Sequence, residues 1–203
     1  MTAVVPVLPG ERVRLVPLGP EYLPLVGRWR ADPAVTRYWI SDRAPSPAAL
    51  DAWYRENQAS GALTWAILDE RSAPIGYTNL FNLDAANRRA ELALMIGERA
   101  AWGRGYAKDT LRTLLGYAFA AEEGEEEGEG AGLALHKVSL TVFAENLGAR
   151  RAYAACGFRE DGVLRDDFFR EGRWHDQIVM SVLQPEFTGR ARHDGHEQGR
   201  QTE

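Results

Sequence analysis

Arg89-Ala90-Glu91-Leu92-Ala93-Leu94-Met95-Ile96, a loop from Gly97 to Gly105 that ends in Trp102-Gly103-Arg104-Gly105, and then Tyr106-Ala107-Lys108 form the stretch on which the fold turns. The first part is short and bounded by turn residues, which predicts a strand. Beyond the glycines, Tyr106 to Ala121 carries Leu111, Leu114, Leu115, Ala118 and Phe119 at helical spacing. Strand, glycine turn and helix therefore follow one another directly. Glycines let the backbone bend tightly and approach a ligand closely. The helix behind them leaves its first N–H groups free and adds about half a positive charge at that end. Together these features suit a diphosphate. The same glycines would also serve a plain tight loop before a helix, and alone they do not decide.

Working outward, Leu63 to Leu68, Ile75 to Phe81 and Arg89 to Ile96 read as three consecutive strands, joined by turns at Arg71-Ser72-Ala73-Pro74 and Asp84 to Asn87. Before them, Glu11 to Leu18 alternates Val13 and Leu15 against Arg12 and Arg14, the period of a half-buried strand. Pro20 to Arg30 sets Leu23, Val26 and Trp29 on one helical face and ends near Asp32-Pro33. Pro47 to Ser60 is a second helix, with Ser46 as N-cap and Gly61 as its stop. After the long helix come a strand, Lys137 to Phe143, a helix, Asn146 to Cys156, and two strands. These last run from about Phe158 to Phe169 and from Trp174 to Leu183, and meet at the hairpin signal Glu171-Gly172. The order β-α-α-β-β-β-α-β-α-β-β predicts a single α/β (α+β) domain over 10–187 with one mixed sheet.

The length, 203 residues, allows one full core and hardly two. A formal charge of -5 is misleading, because the six glutamates of 122–132 supply -6 in a stretch without Lys or Arg. That stretch of Glu, Gly and Ala predicts a disordered loop inside the domain, and 188–203 predicts a mobile tail. The remainder is close to neutral and has no basic stripe, so nucleic acid is not an expected partner. No apolar run is long enough for a membrane span, and Met1 to Pro9 makes a poor signal peptide. The single cysteine, Cys156, cannot form an internal disulfide. A cytoplasmic location is the expectation.

Two known phosphate motifs fit badly. A dinucleotide fingerprint needs a third glycine where Lys108 stands, and a P-loop needs Gly-Lys-Ser/Thr, which is absent. The segment Trp102 to Ala107 instead resembles the acetyl-CoA motif of the GNAT superfamily of N-acetyltransferases, Arg/Gln-x-x-Gly-x-Gly/Ala, with Gly105 and Ala107 at the fixed positions. Its first position departs, being Trp102. That spelling is similar to the branch acetylating the N-termini of ribosomal proteins. A second stretch, Asn146-Leu147-Gly148-Ala149-Arg150-Arg151-Ala152-Tyr153 followed by Gly157-Phe158, resembles the family's Asn-x-x-Ala-x-x-x-Tyr…Gly-Phe. The resemblance runs from Glu11 to Asp176, with 122–132 as an insertion.

The resemblance implies a GNAT fold, a mostly antiparallel sheet that splays beside Arg89–Ile96, with acetyl-CoA as cosubstrate and no metal. It implies that the backbone of Trp102, Gly103, Arg104, Gly105, Tyr106, Ala107 and Lys108 holds the pyrophosphate and that of Leu94, Met95 and Ile96 the pantetheine arm. Asn146 contacts the pantetheine side in this reading, and its type also suits a helix N-cap. Tyr153 is the expected general acid toward the leaving thiolate. Ala149 stands where the ribosomal branch commonly carries Ser, which favours Tyr153 in that role. A phenol near 10 giving its proton to a thiolate near 8.5 is uphill by about 2 kcal/mol, so the transfer has to be concerted with departure.

Glu91 is the candidate base, directly or through water, and equally suits a solvated strand-end carboxylate. Neutralising a lysine-like amine at pH 7 costs about 4.6 kcal/mol, an α-amine only about 1 kcal/mol. Arg150 and Arg151 read as a solvated helix face, Cys156 as core, and His136, His175 and Asp176 as structural, without metal-ligand spacing. The acceptor is expected to be a protein or peptide α-amine. A small amine (polyamine, aminoglycoside or amino acid) is the alternative, and a non-catalytic acyl-CoA-binding module is the alternative of another class. A homodimer is left open.

Overall fold

The computed structural model describes residues 5–39, 44–120 and 132–187. Eight strands form one sheet in the order β1-β2-β3-β4-β5-β6-β8-β7. In chain order these are β1 (Leu8–Pro9), β2 (Arg14–Pro17), β3 (Leu63–Leu68), β4 (Pro74–Asp84), β5 (Arg89–Ile96), β6 (Lys137–Phe143), β7 (Arg159–Arg170) and β8 (Arg173–Leu183). Five helices accompany them: α1 (Leu23–Ala31), α2 (Pro33–Thr36), α3 (Pro47–Ala59), α4 (Tyr106–Phe119) and α5 (Leu147–Ala154). Every neighbouring pair is antiparallel except β5 with β6. The expected mixed, mostly antiparallel sheet is what the chain forms.

The one parallel pair is also the shortest contact between two long strands. β5 and β6 are in register only at Arg89↔Lys137, Ala90↔Val138 and Glu91↔Ser139. Past Glu91 the two strands part, so Leu92–Ile96 and Leu140–Phe143 border an opening in the middle of the sheet. β4 stays paired to β5 up to Ile96, and β8 to β6 up to Phe143. Both walls of the opening are thus held by antiparallel neighbours.

Each face of the sheet has its own core. On one side α4 and α5 bury Leu111, Leu114, Leu115, Ala118 and Tyr153 against Trp65, Leu80, Leu92, Val138 and Leu140. On the other, α1 and α3 bring Val26, Trp29 and Leu50 onto Ala66, Tyr77 and Met95. Apolar burial of this kind contributes about 25 cal/mol per Å² and is the main stabilising term.

Local signals account for most boundaries. Ser46 Oγ accepts from Ala49 N–H at the start of α3, and Asn146 Oδ1 from Ala149 N–H at the start of α5. The β7–β8 hairpin turns on Glu171 (φ 51°) and Gly172 (φ 76°), the two positive-φ positions of a tight hairpin turn. Three expectations shift. The first long strand begins at Arg14 rather than Glu11. The first helix opens with a 3-10 turn, Pro20–Tyr22. A four-residue helix, α2, follows at once, with Asp32 Oδ1 capping Ala34 N–H. Of the acidic stretch only Gly132 is among the described residues, and the tail 188–203 lies outside them. No helix among the described residues is long and apolar enough to cross a membrane.

Candidate active site

The turn Trp102 to Lys108 follows the end of β5 that borders the splay. Gly103 (φ 71°) and Gly105 (φ 86°) both adopt the left-handed region that favours glycine. A Cβ at Gly103 would point into open space. Among the described residues, none of the backbone N–H groups from Gly103 to Lys108 finds a hydrogen-bond partner. Helices α2, α3 and α5 each begin with a capping side chain, whereas α4 begins on Gly105 and has none. Six free amides and an uncapped helix start are features that suit an anion.

Three charged side chains that sequence reasoning did not single out hold this turn. Arg12 donates from its guanidinium to the Arg104 carbonyl, and its Nε donates to Glu70 Oε1 at 2.9 Å. Glu70 Oε2 in turn accepts the Tyr106 hydroxyl at 2.6 Å. Arg12 and Arg104 both lie over the Tyr106 ring, at 4.9 and 5.3 Å from its centroid. Asp109, buried in the first turn of α4, accepts the backbone N–H groups of Arg12 at 2.7 Å and Val13 at 2.9 Å. This is why the strand starts late: the backbone of Arg12 and Val13 is committed to α4. Arg12 and Glu70 are far apart in sequence, and only the anionic first turn of α4 hinted at Asp109.

Trp102, the residue that departs from the family spelling, is 44% exposed, and its indole N–H donates to the Ile96 carbonyl at 2.8 Å. It pins the end of β5 to the turn. Along β5, Leu94 and Ile96 point toward the α4 side and Met95 toward the α1 side, while the strand's free edge faces the splay.

The remaining expected residues fall around the same opening. Glu91 is the last β5 residue paired to β6, at the vertex of the splay, and its Oε1 accepts the Asn82 amide at 2.9 Å. Tyr153 lies on α5, buried on the α4 side against Phe158, and burial pushes its phenol up to about 12. Asn146 caps α5. Arg150 is engaged with Glu160 and the Ala144 carbonyl. Cys156 is buried with its Sγ toward the Lys108 carbonyl, and burial raises its thiol, so it is a packing residue.

On the α1 side of the splay the register aligns Tyr77, Asn79 and Phe81 of β4 with Met95, Ala93 and Glu91 of β5. Ser139, Thr141 and Phe143 of β6 share that face with Gln177 and His175 of β8. Two consecutive side chains after α2 cross over this face. Trp39 meets Tyr77 edge-on at 5.9 Å, and Tyr38 meets Phe143 at 6.1 Å. They form a roof over the mouth. Buried beneath or beside it are Trp39 Nε1, Tyr77 Oη, Asn79 Oδ1 and His175 Nε2, none with a partner among the described residues. His175 is 7% exposed, and its Nδ1 lies 2.9 Å from Glu145 Oε1. Burial pushes the Glu145 carboxyl up, but its own backbone N–H, His175 and Arg173 outweigh that and hold it below the usual range. A cavity of about 170 Å³ opens here, lined by Arg37, Tyr38, Phe143, Glu145, Arg170 and His175 among others. A larger one, about 670 Å³, lies away from the splay between the end of α3 and β2–β3.

The comparisons with known proteins agree with this geometry. Residues 12–159 match the model of the Acetyltransferase (GNAT) domain family. The spermidine N(1)-acetyltransferase of Vibrio cholerae serotype O1 is 28% identical over 158 residues, spanning 77% of this chain and 84% of that protein. YdaF of Bacillus subtilis (strain 168), provisionally named a ribosomal N-acetyltransferase, is 32% identical over 114 residues, 56% of each chain. The crystal structure of spermidine N-acetyltransferase from Vibrio cholerae in complex with CoA and spermine superposes with a TM-score of 0.75 at 26% identity, covering 86% of this chain and 96% of that one. A sheet splayed past Glu91, a free-amide turn behind it and a match over 12–159 make this chain a member of the GNAT acetyltransferase family, an N-acetyltransferase that uses acetyl-CoA.

Proposed function

We infer that the acceptor is a small primary amine, held on the α1 side of the splay beneath Tyr38 and Trp39. The observation that carries this is the set of buried, unpartnered polar atoms on that face: Trp39 Nε1, Tyr77 Oη, Asn79 Oδ1 and His175 Nε2. A buried polar atom left without a partner costs about 1–3 kcal/mol, so such a face suits a compact polar ligand. The roof favours an acceptor that fits under it over a folded protein surface. The named activity of the Vibrio cholerae relatives, on spermidine, supports the small-amine class.

In this reading the free amides of Gly103 to Lys108 hold the pyrophosphate, the expected Trp102 amide being spent on the Arg99 carbonyl at 3.1 Å, and the backbone of Leu94, Met95 and Ile96 holds the pantetheine arm. Asn146 keeps its cap and touches the arm from the end of β6. Glu91 takes the amine's proton, directly or through a water. The neutral nitrogen attacks the thioester carbonyl carbon, a C–N bond forms, and collapse breaks the C–S bond. Coenzyme A leaves as the thiol with a proton from Tyr153, and the tyrosinate regains one as the new amide nitrogen loses its extra proton, directly or through water. Proximity supplies much of the acceleration, because both substrates are held rather than activated covalently. A cytoplasmic location is part of the same proposal.

The charges near the roof refine the class. Arg37, Arg170 and Arg173 line the 170 Å³ cavity with Glu145 and Glu171, and Glu145 is already engaged by His175. An acceptor with one amine fits this balance better than a polycation. A second reading, a peptide α-amine, keeps support from the Trp-Gly-Arg-Gly-Tyr-Ala spelling and from the YdaF match. Coenzyme A release across amino acids, aminoglycosides, polyamines and peptides with free α-amines separates them. The expected result is a kcat/KM at least tenfold higher for a small amine than for any peptide. Turnover confined to peptides overturns the small-amine reading.

A further inference from the structure

Arg170 closes β7, immediately before the tight turn at Glu171 and Gly172. Its guanidinium reaches across the site to the backbone at the end of α2, more than 130 residues away in sequence. One terminal nitrogen donates to the Thr36 carbonyl at 3.1 Å and to the Arg37 carbonyl at 2.9 Å, and the other donates to the Trp39 carbonyl. The same group lies over the rings of Phe143, at 5.7 Å, and Phe168, at 5.2 Å. A planar fork satisfies three carbonyls and stacks on two rings at once, which an ammonium cannot do.

The segment it grips is the roof. Trp39 and Tyr38 land on β4 and β6, the strands on either side of β5, and so bridge the splay at its open end. Helix α2 has only four residues and α3 begins at Pro47, so little regular structure braces residues 36–39. The hairpin braces them instead, through one side chain whose base is fixed by the turn.

We propose that Arg170 is the positioning residue of the acceptor side: it holds Tyr38 and Trp39 across the splay and thereby sets affinity for the amine, without touching the acetyl-CoA turn. This rests on the reading of that face as the amine's side. The turn at Trp102 to Lys108 is held by Arg12, Glu70 and Asp109, a set that shares no member with the Arg170 contacts. The two substrates are therefore positioned by separate devices.

Arg170→Ala and Arg170→Lys test this. In Arg170→Ala, the KM for the best amine of the panel rises at least tenfold, while the KM for acetyl-CoA moves less than twofold. Arg170→Lys recovers part of the loss, since an ammonium can hold one or two of the three carbonyls. Equal loss for both substrates, or a fall in melting temperature with no KM split, means a merely structural residue and overturns the proposal. Hydrogen–deuterium exchange supplies a readout that does not need an identified amine. Residues 36–39 exchange at least tenfold faster in Arg170→Ala while 103–109 do not change, and unchanged exchange at 36–39 overturns the proposal. A wild-type enzyme inactive on every amine would sink the substrate reading, and the exchange result would still decide the role of Arg170.

Discussion

Tyr106, the first residue of α4, donates its hydroxyl to Glu70 at 2.6 Å, so the turn between β3 and β4 braces the start of α4. That hydrogen bond, followed by one from the backbone N–H of Glu70 and by Arg12, lowers the Glu70 carboxyl from 4.5 to about 2. A carboxyl depressed on folding stabilises the native state above its unfolded value and loses that contribution as pH falls through its folded one. The window here runs from 4.5 down to about 2. Glu70→Gln should therefore lower the melting temperature at neutral pH, with the gap to wild type closing across that window. Thermal unfolding at stepped pH reads it. A gap that stays constant from about pH 5 downward would show that the ionised Glu70 carboxylate adds nothing to stability.

Gly105 offers a sharper handle on the proposed cofactor seat. Its φ of 86° is unfavourable for any residue with a Cβ, yet a Cβ there would meet only Arg12, at 3.5 Å. The cost of Gly105→Ala is thus conformational, roughly 1–2 kcal/mol. If that strain is relieved by moving the turn, coenzyme A binding weakens by about tenfold, the equivalent of about 1.4 kcal/mol. Gly172→Ala is the matched control, with a φ of 76°, nothing within 4 Å and a site on the β7–β8 hairpin. Calorimetric titration with coenzyme A should separate the two. Equal affinities in both variants would remove the turn from the pyrophosphate assignment.

Sequence patterns located most of the sheet because its central strands are apolar runs cut off by turn residues. Leu63–Leu68, Arg89–Ile96 and Lys137–Phe143 lie where the pattern puts them. The misses have two physical causes, a long-range polar contact that local periodicity cannot register and a local cap that doubles as a stop. Arg12 and Val13 alternate as a strand would, but Asp109, nearly a hundred residues away, takes their N–H groups. Asp32-Pro33 reads as the stop of α1, and it is also the cap of α2, because Asp32 both ends one helix and accepts from Ala34. At the site, glycine spacing exposed the turn, and the Asn146…Tyr153 helix selected the family. The roof of Tyr38 and Trp39 and its Arg170 lock left no mark, since neither α2 nor the hairpin signals its partner locally.

Tyr153 carries the last prediction, and its burial makes the claim more demanding. At about 12 its phenol stays protonated throughout any practical assay range. Handing that proton to a free thiolate near 8.5 would be uphill by about 5 kcal/mol, so a separate transfer step is too slow to help. The proton has to move as the C–S bond breaks, when the sulfur's basicity is still rising. Tyr153→Phe keeps the ring packed on Phe158, 5.6 Å away, and removes only the hydroxyl. Under conditions where chemistry limits the rate, kcat should fall about a hundredfold, in the range general acids supply. Affinity for coenzyme A should change little. The wild-type rate should show no decline up to about pH 10 that traces to this residue, because its hydroxyl does not ionise there. Undiminished turnover in Tyr153→Phe would mean that the departing thiolate takes its proton from water, and would leave Tyr153 a core tyrosine.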